Sequence, residues 1–111
     1  MGRAEAIAKK TYHSMLVHKD IYKKQLEKSG SLVVTQLKNP YRQIADDASV
    51  EEIEAWLRSN TPPGRLDSLV QTGVKRIRDN RLKKLYVVCF GGKHRSAVVA
   101  RLINAQLGSG A

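Results

Sequence analysis

The sequence predicts an α/β fold with a small, largely parallel sheet flanked by helices. Three observations carry that expectation. The apolar run Leu85-Tyr86-Val87-Val88-Cys89-Phe90 has the unbroken character of a strand covered on both faces. Two segments before it, one opening at Ser49 and one running from about Arg65 to Asn80, space their apolar residues as helices do. After it come two glycines and a further helix, the alternation of a parallel βα architecture. At 111 residues the chain makes one domain with a modest core.

Residues 1–30 form an N-terminal segment that reads in two ways. Ala4, Ala6, Ala8, Lys9, Lys10, Leu26, Glu27 and Lys28 favour a helix over 4–28, stopped at Gly30. Alternatively, 11–17 is a strand and a shorter helix opens at Asp20. The core spans 31–107. Residues 31–37 read as a strand ended by Asn39-Pro40. Ser49-Val50-Glu51-Glu52 is a capping box opening a helix that carries Val50, Ile53, Trp56 and Leu57. Its glutamates suit that positive helix end. Thr61-Pro62-Pro63-Gly64 breaks the chain. In the next helix Leu66, Leu69, Val70, Val74 and Ile77 make the buried stripe, with Gly73 allowing close approach. Arg81 falls on that apolar side, so the helix stops just before it. The last helix starts near Arg95 and fades by Leu107, leaving 108–111 as a flexible tail. Val98, Val99, Leu102, Ile103 and Ala105 occupy most of its circumference, leaving Arg101 and Asn104 a narrow polar side. One small sheet cannot cover that much, so the pattern demands either another layer or pairing of chains into a homo-oligomer.

Composition removes several function classes. No apolar stretch is long enough for a transmembrane helix, and Met1-Gly2-Arg3-Ala4-Glu5 has no signal-peptide character, so no membrane role is expected. A single cysteine rules out an internal disulfide framework and suits a reducing cytoplasm. Three histidines and one cysteine show no zinc spacing, and neither metal nor cofactor is expected. Net charge is +10, and the acids are clustered. Asp46, Asp47, Glu51, Glu52 and Glu54 fall in one nine-residue window without a base. The other 102 residues therefore set twenty bases against five acids, a net +15. Such a field attracts polyanions, nucleic acid above all.

The chemistry concentrates in 89–96. Gly91 and Gly92 let the backbone turn sharply and bring N–H groups close to a ligand. The helix that follows presents unpaired N–H groups and the positive end of its dipole. Lys93, His94 and Arg95 add cationic donors and Ser96 a hydroxyl, so 91–96 is a candidate phosphate site.

Cys89-Phe90-Gly91-Gly92-Lys93-His94-Arg95-Ser96 resembles the Cys-x5-Arg-Ser/Thr loop of the cysteine-dependent phosphatases. That resemblance implies Cys89 as a thiolate nucleophile, Arg95 gripping the phosphoryl oxygens and Ser96 assisting the leaving thiolate. Val88 stands where those enzymes carry histidine. The acid such an enzyme needs on a mobile loop is not evident: Asp67 falls inside a helix, and Asp46 and Asp47 are far upstream.

The same segment more closely resembles the C-terminal domain of the RapZ family of RNase adaptor proteins, which carries Cys-Thr-Gly-Gly-Lys/Arg-His-Arg-Ser there. The strand at 32–37 followed by Lys38-Asn39-Pro40-Tyr41 is similar to that family's strand ending in Leu-Pro-Asn-Pro-aromatic, and the resemblance covers roughly 31–105. It implies a noncatalytic, regulatory domain that binds a phosphorylated sugar or similar anion through Gly91, Gly92, His94, Arg95 and Ser96, binds structured small RNA, and self-associates. Phe90 replaces the family's threonine and Val88 a glycine, while Val33 and Thr35 stand for its Asp and Arg. What survives is a bare phosphate contact. No Gly-x4-Gly-Lys-Ser/Thr of the family's ATP-binding domain occurs, so the chain resembles a reduced, stand-alone version of the kind a phage carries.

Lys75, Arg76, Arg78, Arg81, Lys83 and Lys84 lie within ten residues, opposed only by Asp79. They are the candidate nucleic-acid surface. With aromatics at 5%, recognition of a structured RNA by shape and backbone fits better than a sheet face of stacked bases. Charge reversal at Arg76 and Arg78 is expected to remove most binding. Lys19, Lys23, Lys24 and Lys28 form a second basic stripe. A third class of function is a protein–protein effector whose charged patches dock a cellular enzyme.

Overall fold

The structure, a computed structural model, describes residues 4–10, 30–89 and 94–109. Among these residues three strands and three helices follow in the order β1 (Glu5–Lys10), β2 (Ser31–Val33), α1 (Val50–Asn60), α2 (Arg65–Asn80), β3 (Lys84–Cys89) and α3 (Arg95–Ser109). The sheet is parallel throughout, with β3 central between β1 and β2.

The helix expected from residue 4 is corrected at its start. Residues 5–10 are an edge strand, Ala6 opposite Leu85 and Ala8 opposite Val87. Alanine's helix propensity is a few tenths of a kcal/mol per residue. Here it yields to a ladder with β3 and to the period of two that buries Ala6 and exposes Glu5 and Lys9. The second basic stripe and the 11–17 alternatives lie outside the described residues.

The expected strand at 31–37 is shorter than the sequence suggests. Ladder pairing covers Ser31–Val33, and the Val34 N–H still donates to the Val88 carbonyl at 3.1 Å. The chain then turns, with the Leu37 N–H donating to the Val34 carbonyl. By contrast, the capping box forms as read. Ser49 Oγ accepts from the Glu52 N–H and donates to Glu52 Oε1, both at 3.2 Å. Helix α2 ends at Asn80, with Arg81 in the left-handed region at φ 52 and its N–H bonded back to the Arg78 and Ile77 carbonyls.

One core joins the elements. Leu85, Val87 and Cys89 of β3 pack in it with Ala6, Leu32, Leu57, Val70, Val98 and Ile103. Val88, on the opposite face of the strand, is equally buried, which explains the unbroken apolar run. Helix α3 lies against β1 and β3 and meets α2 and α1 on its other sides. The other helices thus supply the extra layer that its nearly all-round apolar surface demands. The helix also continues to Ser109, two residues past the expected fade at Leu107. Arg101 Nη1 reaches Glu51 Oε1 at 2.6 Å and ties α3 to the amino end of α1.

Asn104 holds the outer edge of the sheet. Its Oδ1 accepts from the Ala6 N–H at 2.7 Å, and its Nδ2 donates to the Ala6 carbonyl at 3.0 Å. One side chain thereby satisfies both main-chain groups of an edge residue. Asn104→Ala is expected to cost about 1–2 kcal/mol in urea unfolding. It should also speed hydrogen exchange at the Ala6 amide before that at Val87.

Candidate functional site

Strands β2 and β3 are adjacent and parallel, so their C-terminal ends open at the same edge of the sheet. In open α/β sheets that edge is where ligands bind. From β2 the edge receives the turn at 34–37 and then Lys38-Asn39-Pro40-Tyr41. From β3 it receives Cys89 and, past 90–93, the first turn of α3. Phe90, Gly91, Gly92 and Lys93 lie outside the described residues. His94 stands in the N-cap place of α3, its carbonyl accepting from the Val98 N–H at 3.1 Å. The N–H groups of the first turn after it have no acceptor within the helix.

Three sequence-predicted residues meet here. The Cys89 thiol donates to Ser96 Oγ at 3.2 Å, with Cys89 2% and Ser96 0% exposed. Arg95 is 4% exposed, and its Nη1 donates to the Thr35 carbonyl at 3.2 Å and the Leu37 carbonyl at 3.0 Å. Burial pushes the pKa of the guanidinium down. The neighbouring Cys89 sulfur pushes it the other way. An arginine side chain stays cationic inside a protein. Arg95 is therefore a buried cation that bridges the two motifs across nearly sixty residues of sequence. The sequence reading had it facing a ligand, and the bonds to carbonyls 35 and 37 add a structural task.

The basic residues at 75–84 stand at the opposite end of β3. They occupy the end of α2 and the link into β3, at the start of that strand, whereas Cys89 is at its finish. Six strand residues separate the two by about 16 Å. Lys75, Arg78, Arg81, Lys83 and Lys84 are exposed and make a ridge. Arg76 differs: it is half-buried, and its Nη1 donates to the Ser31 carbonyl at 2.9 Å, fastening α2 to the start of β2. Charge reversal at Arg76 would disturb folding together with any binding, so Arg76 is not part of that exposed ridge.

Two features of this edge carried no strong sequence signal. Lys38 Nζ lies 5.9 Å from the Trp56 ring centre, and the Arg42 guanidinium lies 5.3 Å from that of Tyr41. Tyr41 is 62% exposed. Among the described residues, no helix is long and apolar enough to cross a membrane. In comparisons with known proteins, no family model, no curated protein and no solved structure matches the chain.

Proposed function

We propose that the protein is a small RNA-binding adaptor module of the RapZ C-terminal type, regulatory rather than catalytic, with a phosphate-binding loop at 91–96. The supporting observation is that Arg95, beside the Cys89–Ser96 pair, is bonded to the Thr35 and Leu37 carbonyls just ahead of Asn39-Pro40. A phosphoryl group held there meets the amino end of α3 and the cations of the loop. RNA lies along the exposed ridge of Lys75, Arg78, Arg81, Lys83 and Lys84, through its phosphates.

Two measurements test this reading. Affinity for a structured RNA falls steeply with salt in the wild type. The triple variant Lys75→Glu, Arg78→Glu, Lys83→Glu flattens the slope of log K against log salt by about 2 or more. No binding at low salt ends the RNA reading. Separately, inorganic phosphate at 100 times its dissociation constant stabilises the wild type by about 2.7 kcal/mol. Lys93→Glu with His94→Glu removes that gain.

One contact favours a second reading, a cysteine-dependent phosphatase. The Cys89–Ser96 hydrogen bond beside Arg95 is the pairing such a mechanism uses. Against it, the thiol is sealed from solvent and engaged as a hydrogen-bond donor. Turnover of phosphomonoesters by the wild type, abolished in Cys89→Ser, establishes catalysis. Inactivity across several such substrates leaves the binding module.

A further inference from the structure

We propose that the turn at 40–43 is a stacking platform for one unpaired RNA base. The inference rests on the RNA-binding reading above and names the part of the RNA that this sheet edge takes.

The turn is rigid, and its tip is presented outward. Its base is anchored twice, by Leu37 and Pro40, both buried. The Leu37 carbonyl is held by Arg95. The Asn39 side chain accepts from the Tyr41 N–H at 3.0 Å, and the Gln43 N–H donates to the Pro40 carbonyl at 2.8 Å. Between these bonds Tyr41 projects with 62% of its surface exposed, the sole large apolar side chain so exposed among the described residues. The Arg42 guanidinium lies over its ring.

Arg42 sits at φ 62, in the left-handed region. The third place of such a turn is where glycine or asparagine is at ease and arginine is strained. A strained residue held by its surroundings points to a task. Here the strain keeps a guanidinium against an exposed aromatic ring, which is how unstacked RNA bases are received. The base completes the stack on the free face of the tyrosine or the outer plane of the guanidinium.

Charge does not drive this contact. Lys38 and Arg42 are balanced by Asp46 and Asp47 within ten residues. The platform therefore selects a base, while the distant ridge supplies the salt-dependent attraction.

The test uses the full chain and a fluorescein-labelled RNA hairpin with a short unpaired loop, compared with the same hairpin made abasic in the loop. Tyr41→Ala is expected to weaken binding to the intact hairpin about tenfold with an unchanged salt slope. Against the abasic hairpin it has no effect, and Tyr41→Trp restores affinity. Arg42→Gly relieves the left-handed strain, so it melts at a higher temperature than the wild type and yet binds the intact hairpin more weakly. A structural role does not give both results. If both variants bind the intact hairpin as the wild type does while the triple ridge variant loses it, the platform is wrong and the RNA reading stands. If the wild type binds neither hairpin at low salt, both fall together.

Discussion

Arg95→Ala is expected to lower folding stability by about 3 kcal/mol or more. Arg95 is 4% exposed, and its guanidinium serves two main-chain carbonyls, at 35 and 37. Hydrogen bonds from a charged donor contribute about 1.5–3 kcal/mol each, and the carbonyls stay behind when the donor goes. Alanine also leaves a void between the β2 turn and the first turn of α3. In a domain of this size the loss lowers the melting temperature by about 12 °C or more. Arg95→Lys keeps the charge but replaces a planar fork by a single ammonium, so it recovers only part. A loss below about 1 kcal/mol would show that the carbonyls find other donors. Arg95 would then be the ligand-gripping residue that the loop motif alone suggests.

The second large effect is expected at Gly73. A Cβ there collides with the Ile103 Cδ1 and comes within 3.2 Å of Ile103 Cγ1 and 3.3 Å of Leu85 Cδ2. Ile103 and Leu85 are both fully buried. Alanine recovers about 1 kcal/mol of helix propensity, which offsets only part of the crowding, so Gly73→Ala is expected to destabilise by about 1 kcal/mol. Gly73→Val adds two more methyl groups at the closest approach of α2, α3 and β3. It is expected to destabilise by about 3 kcal/mol in chemical unfolding. Gly73→Val combined with Ile103→Ala should be less unstable than the two changes summed, because the smaller partner vacates the space the methyl groups need.

Much of the fold was legible because its signals are local. The Ser49–Glu52 box, the stripe from Leu66 to Ile77 and the glycine and proline breaks each act within a few residues. Accordingly, α1 and α2 begin and end as the sequence reads. The run from Leu85 to Cys89 announced a central strand because both of its faces are apolar. Residues 5–10 did not announce theirs. Alanines and lysines say helix locally, and the partner that overrides them lies some eighty residues away.

The candidate site divides in the same way. A strand, two glycines and a helix start rich in cations were readable from neighbouring residues, along with the basic run at 75–84. What the arginines do was not readable there and follows from the packing of distant segments. Arg95 is turned onto carbonyls of the β2 turn, Arg76 is taken up by the start of β2, and Arg42 is laid over an exposed tyrosine. The reason is one of range. A helix cap or an apolar stripe is specified by neighbours within a turn, whereas the partner of a long cationic side chain is set by which strands lie side by side.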